Sequence, residues 1–440
     1  MLEKVALTVV CFWPIKPNNP YRLGERAGMK GKSTVVAAFT PEALLKRKVR
    51  AHLRRLGFDK SSDGSLRPPS SSKDSVRALH SGQRNAGLKN SRAFIQESFP
   101  RLKKYLAEGK DINPGSISPE LELIESGTWQ SELFRLASLS WSVPVSNGFG
   151  RRLRYLVWDK GNKKLMGIVA IGDPVFNLKA RDDLFAWSIA DRGKRLVNIL
   201  DAYVLGAIPP YNMILGGKLV SCLVRSREVR DDFKKRYGDT RGIISRKKKK
   251  AQLVAITTTS SLGRSSVYNR LKLGEQSYFR SIGFTQGWGH FHVPDSLFSE
   301  LRDYLRKRKH KYVDGHSFGM GPNWRLRTIR AAFDLLGFKA DLLRHGIGRE
   351  VFVCELAENA GNILRGKAVR ANYHGLQSVA EIGELARLRW VVPRAERRPE
   401  FKDWTHDDFR ALVLTPRRKR DNYNSNVSEL NAARKRKANG

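Results

Sequence analysis

Apolar positions recur at helical spacing in the first structured stretch of the chain. In "FTPEALLKRKVRAHLRRLGF", Leu44, Leu45, Val49, Leu53 and Leu56 fall on one face, Thr40 stands as N-cap, Pro41 occupies the first helical position and Gly57 is the stop. The opposite face is nearly all Lys and Arg. A Ser/Pro-rich linker follows at 61–73, "SSDGSLRPPSSSK", and then a mostly helical stretch from Asp74 to about Gly109. The period then shortens. Leu153–Trp158 and Leu165–Ile171 are β-rich runs on either side of "DKGNKK", which predicts an antiparallel hairpin. "VNILDAYVLGAIPPYN" supplies another strand that must stop at Pro209-Pro210.

Helical spacing returns at Leu215, Leu219, Cys222, Leu223 and Val229, predicting one helix from about Leu215 to Gly238. After it the pattern predicts a strand in "AQLVAITTTS", a short helix at Ser265–Leu271 and strands in "SYFRSIGFTQGWGHFHVP". Leu297, Phe298, Leu301, Tyr304 and Leu305 then make one face of a helix over Ser296–Lys309. Residues from Pro322 to about Trp404 read as largely helical, with a strand at Glu350–Leu356.

The fold class is therefore α/β: a mixed, largely antiparallel sheet with one βαβ crossover, plus helical N-terminal and C-terminal regions. The expected divisions are an unstructured lead at 1–38, a basic helical region at 39–135, the α/β core at 136–295, a helical region at 296–414 and a disordered basic tail at 415–440. Periodic sequence begins only after Met29, so translation starting at Met29 rather than Met1 is an open alternative.

Charge changes the picture from fold to partner. Lys and Arg number 82 against 42 Asp and Glu, a net charge of +40 that attracts polyanions and points to nucleic acid. No basic helix has a large exposed apolar face, and no run approaches a membrane span, so a membrane is not the expected partner. Cys11, Cys222 and Cys354 show no C-x-x-C spacing, which fits a reducing cytoplasm better than a disulfide scaffold.

Basic residues beside glycines, hydroxyls or turns are the candidate phosphate contacts. They are Arg151, Arg152, Gly217, Lys218, Lys247, Lys248, Lys249, Lys250, Arg264 and Arg270. His290 and His292, if "GWGHFHVP" is a strand, point to one side, the geometry by which HUH-class endonucleases gather a divalent metal, with Tyr304 as candidate nucleophile. Tyr304 also belongs to the apolar face of its helix. Asp159, Asp173, Asp201 and Glu228 fall where a two-metal nuclease or transposase would need carboxylates, although turn and N-cap roles suit Asp159 and Asp173.

Two resemblances follow from these blocks. The hairpin, strand and Gly216-Gly217 helix start resemble the acyl-coenzyme A binding core of GNAT acetyltransferases, whose R/Q-x-x-G-x-G/A appears here as the degenerate N-M-I-L-G-G. The ordered set "WSVPVSNGFGRRLRYLVWD", "GDPVFNLKARDD", "LGAIPPYNMILGGKLV", "TTTSSLGRSSVYNRLKL", "IGFTQGWGHFHVP", "GPNWRLRTIRAAFDLLGF" and "HGIGREVFVCELAENAGNILRGK", from about Phe39 to Trp390, resembles the DruA family of the Druantia antiphage defence system. That resemblance implies bacterial antiviral defence alongside other Druantia proteins, one of them helicase-like. Relatives of the central domain in mobile-element contexts keep DNA cleavage open as an activity. Nucleic-acid binding, a metal-dependent nuclease or transposase, and a GNAT-like acyltransferase are the three readings the structure must weigh.

Overall fold

A computed structural model describes residues 40–62, 66–241, 248–314, 324–338 and 340–415. The expected lead at 1–38 and the tail beyond Thr415 lie outside the described residues. Within them, seven strands form one sheet: β1 (Pro119–Leu123), β2 (Arg152–Asp159), β3 (Lys164–Gly172), β4 (Ile199–Ala207), β5 (Ala255–Thr259), β6 (Arg280–Phe284) and β7 (Glu350–Glu355). Their order is β6-β7-β5-β4-β3-β2-β1. Every neighbouring pair is antiparallel except β4 and β5, which run parallel over Ile199–Ala255, Leu200–Ile256 and Asp201–Thr257. The expected crossover is this pair. The sheet also takes β1 and β7 from outside 136–295: β1 closes one edge beside β2, and β7, some ninety residues after β5, lies between β5 and the edge strand β6.

The hairpin forms where the turn chemistry put it. Asp159 accepts from the amides of Gly161 and Ser118, each at 3.0 Å, and Lys163 adopts a left-handed φ of 57° before β3 resumes. Nearly all of β3 is buried, which is why it reads as a continuous apolar run rather than an alternation.

The helices are α1 (Pro41–Arg55), α2 (Lys73–Asn90), α3 (Arg92–Leu102), α4 (Trp129–Ser138), α5 (Lys179–Phe185), α6 (Ile189–Arg195), α7 (Gly216–Cys222), α8 (Arg227–Tyr237), α9 (Asp295–Lys307), α10 (Trp324–Leu335), α11 (Ala360–Arg365), α12 (Val379–Ala386), α13 (Val392–Arg397) and α14 (His406–Leu414). One face of the sheet packs Leu153, Tyr155, Met166 and Leu200 against α7, α8 and α12. The other packs Leu156, Ile168 and Val204 against α3, α4 and α14, and Ile199 and Val353 against α5 and α11. Each such side chain, fully removed from water, contributes about 1.5–3 kcal/mol.

A second core lies apart from the sheet. Leu45, Val49 and Leu53 of α1 and Val76 and Leu79 of α2 pack with Leu301 and Leu305 of α9 and Ile329 and Phe333 of α10. The helical regions expected before and after the core thus share this lobe. Thr40 caps α1 as expected, its hydroxyl accepting from the Ala43 amide at 3.2 Å. The 61–73 linker is partly docked: Leu66 is buried and pairs, beside Arg67, with Asp59–Lys60.

Three expected elements differ. The single helix at 215–238 is two, α7 and α8, separated by a 3-10 turn at Leu223–Arg225. Ser226 restarts the helix by accepting from the Val229 amide, and the bend lets buried Arg225 donate to the carbonyls of Glu355 and Gly375. Ser265–Leu271 holds only a 3-10 turn at Tyr268–Arg270. "GWGHFHVP" is not a strand: Trp288 makes one isolated bridge to Arg344, and the Val293 amide closes a turn on the His290 carbonyl at 3.0 Å. Gly287, at φ 70°, lies against the backbone of Gly346, an approach that bends the chain out of the sheet.

Candidate nucleic-acid interface

The loop from Gly263 to Arg270 is held from beneath by one carboxylate. Glu350, buried at the start of β7, accepts from the Ser265 amide at 2.8 Å, from the Asn269 side-chain amide at 3.1 and 3.2 Å, and from the Ser281 hydroxyl at 2.9 Å. Burial works to raise its pKa, yet these donors and the nearby Arg264 together hold it below the ordinary glutamate value. Ser265 in turn caps the following turn, accepting from the amides of Val267 and Tyr268. Tyr268 anchors the turn from inside, its ring against Phe279 and Phe352 and its hydroxyl pushed up to about 12 by burial.

What this scaffold presents outward is cationic. Arg264 and Arg270, with Ser265, Ser266 and Asn269, line an open pocket of about 430 Å³ completed by Lys73. Lys73 opens α2 and donates to the Ser266 hydroxyl at 2.8 Å, across 193 residues of sequence. No carboxylate lines the pocket, and among the described residues neither Arg264 nor Arg270 closes an ion pair. A site lined by three cations, two hydroxyls and an amide, with its one neighbouring carboxylate, Glu350, committed to the loop beneath, is suited to an anion with several oxygens.

The positive surface continues past Arg270. Lys218, at the start of α7, has its pKa lowered by burial and then by the charges of Arg270 and Arg389, and its ammonium lies 5.2 Å from the Trp390 ring centre. Gly217 beside it is uncrowded, with nothing nearer than 3.8 Å to the place a Cβ would take. Gly216 is the close-packed one, 2.7 Å from the Tyr211 carbonyl on the same measure.

The structure thus groups Arg264 and Arg270 with Lys73 in one pocket and sets Lys218, next to Gly217, within the field of Arg270 and Arg389; no local pattern marked Lys73 or Arg389. It does not bring the others to them. Arg151 is committed to Asp173 and donates to the Val197 carbonyl at 2.7 Å. Arg152 is exposed at the start of β2 and donates to the Asn147 carbonyl. Lys248–Lys250 form a short strand paired with Asp239–Arg241, with Lys250 exposed, while Lys247 lies outside the described residues.

The histidines occupy a different environment. His292 is buried, its Nε2 3.0 Å from the Leu342 carbonyl, and it meets Phe58, Phe291 and His345 ring to ring. Burial lowers His290 and His292 to about 4, and with the turn between them they do not share a strand face. Tyr304 is buried on α9, donating a long 3.4 Å bond to the Leu335 carbonyl under the Arg308 guanidinium. The described residues contain no group of three or more His, Cys, Asp or Glu placed to hold a metal.

The carboxylates are likewise engaged singly. Asp159 anchors its turn and accepts from Tyr211, Asp173 holds Arg151, and Glu228 accepts from the Val379 amide at the start of α12. Asp201, raised to about 6 by burial, accepts from the Thr257 hydroxyl. No helix of the described residues is long and apolar enough to cross a membrane.

Comparison with known proteins agrees with the sequence blocks. A family model described as Druantia protein DruA matches residues 70–366. The Druantia protein DruA of Escherichia coli (strain UMEA 4076-1) is 58% identical over 380 residues, covering 86% of this chain and 94% of that protein. No solved structure matches the chain.

Proposed function

We infer that this chain, which belongs to the Druantia protein DruA family, serves defence by holding the phosphate backbone of nucleic acid against the Lys73, Arg264 and Arg270 pocket. As a DruA protein it is a component of an antiphage defence system. The single observation that carries the nucleic-acid reading is the pocket: three cations from two distant segments converge without a carboxylate among its lining residues. The run of positive charge to Lys218 and Arg389 extends that surface along a backbone rather than confining it to one anion. Other Druantia proteins, including a helicase-like one, are the partners beside which such binding would act, in the cytoplasm.

The test is equilibrium binding of the purified chain to labelled DNA across a salt series. Affinity falls steeply and log-linearly with salt if phosphate contacts dominate, and a flat response removes the reading. A GNAT-like acyltransferase is the second reading, favoured by the parallel β4–β5 pair and the uncrowded Gly217 at the start of α7. Calorimetric titration with coenzyme A tests it directly, and an absence of binding heat at millimolar ligand discards it.

A further inference from the structure

We propose that a single strand of nucleic acid passes over the sheet edge at β6, its unpaired bases stacking in a cleft formed by Phe176, Phe284 and Trp288. The inference rests on the phosphate-binding reading and adds the kind of nucleic acid it favours. The cleft holds about 800 Å³ between the 175–192 segment and the run after β6. Large apolar side chains exposed elsewhere on the described surface are scattered, yet Val175, Phe176, Ile189, Phe284 and Trp288 are gathered here. The three rings are 49%, 51% and 41% exposed, open enough to receive a base and too concentrated to be incidental.

Cations lie over two of these rings. The Arg192 guanidinium is 5.2 Å from the Phe176 centroid, and Arg330 is 5.9 Å from that of Trp288. Asp182 and Asp183, the acids of the cleft, are paired within the fold, Asp182 with Arg181 at 2.7 Å and with Arg192 at 3.6 Å, and Asp183 with Lys179 at 2.8 Å. Aromatic faces with guanidinium groups alongside are the arrangement that grips stacked bases and their phosphates without reading sequence.

Cleft and pocket share one rung of the sheet. Phe284 is the ladder partner of Glu350, whose carboxylate holds Ser265 and Asn269 of the cationic pocket. A strand whose phosphates lie on Arg264 and Arg270 reaches the aromatic cleft by crossing the sheet edge at the Phe284 end of β6. A duplex keeps its base faces stacked internally and offers the rings nothing. A second copy of the chain would bring +40 against +40. An added peptide strand is opposed by the bulge between Ser281 and Gly283 on the edge strand.

The experiment compares a labelled oligothymidylate with a duplex, using the full chain and the variants Trp288→Ala, Phe284→Ala and Trp288→Phe, with circular dichroism as the folding check. Trp288→Ala is expected to weaken single-strand binding roughly tenfold or more while duplex binding stays within about twofold, and Trp288→Phe to retain most of the single-strand affinity. The salt slope stays unchanged, because no charge is removed. Equal loss for duplex and single strand, or unchanged single-strand affinity, overturns the proposal. So does a Trp288→Ala protein that keeps its DNA affinity and instead loses its hold on another Druantia protein, which would assign the cleft to a polypeptide. Failure of the phosphate reading is separate: Arg264→Ala with Arg270→Ala would then leave both affinities unchanged.

Discussion

Two regions rich in titratable side chains meet opposite fates in this molecule. In the helical lobe, His80, His292 and His345 are 2–3% exposed, ring against ring with Phe291 and Phe58, and Arg349 lies over Phe291. At the sheet edge, Arg264 and Arg270 stand open to solvent on a loop locked by Glu350. The first region uses imidazoles as core-filling rings: His292 meets the Leu342 carbonyl, His345 accepts from the Ile347 amide, and the Arg349 guanidinium reaches His80 at 3.3 Å. The second places its polar anchoring inside and leaves its charge outside. A cluster of potential ligands is thus less informative than whether its charge has been neutralised within the fold.

The histidine lobe should respond most strongly, and to acid. Burial lowers His80 and His292 to about 4 and His345 to about 3, against the ordinary 6.5. A depressed histidine pKa means that the unfolded chain takes up protons the folded one refuses, so stability is full above 6.5 and is lost as pH falls toward 4. With these three and His290, likewise lowered to about 4 by burial, the limiting slope is about 5 kcal/mol per pH unit. Urea midpoints measured from neutral to acid pH should drop accordingly, and a flat profile would mean the imidazoles are not buried neutral.

Next in size is His292→Ala, which removes a packed ring and its bond to Leu342 and should cost about 3 kcal/mol in denaturant unfolding. DNA affinity of the folded fraction should not change. Loss of a metal-dependent DNA cleavage activity, with stability intact, would reverse the assignment of this residue. At the sheet edge, Arg264→Ala should leave stability within about 0.5 kcal/mol and weaken DNA binding roughly tenfold, measured by fluorescence anisotropy. Tyr304→Phe should do least: it deletes one long hydrogen bond and should shift stability by less than about 1 kcal/mol, with no change in any DNA readout.

Local pattern carried much of the fold. The capped, amphipathic α1, the hairpin around Asp159–Lys164 and the buried stripe of α9 all follow from spacing and turn chemistry, because the residues that make each signal lie within a few positions of one another. The break between α7 and α8 was not legible, since it depends on Arg225 finding carbonyls 130 and 150 residues away. "GWGHFHVP" misled for a related reason: alternation of Trp, His and His imitates a strand, but the close approach of Gly287 to Gly346 bends it into a turn. Of the pocket, Arg264 and Arg270 could be picked out beside hydroxyls in one short segment. Lys73 looked like the end of a linker, and only its bond to Ser266 gives it a role.

If the loop cations hold phosphate, the salt dependence of binding must report it. Duplex DNA affinity should be measured against salt for the parent chain and for Arg264→Ala combined with Arg270→Ala. A log-log slope shallower by about 2 is expected in the double variant, one for each phosphate that an arginine no longer neutralises. An unchanged slope in a well-folded double variant would contradict the phosphate-binding role of this loop.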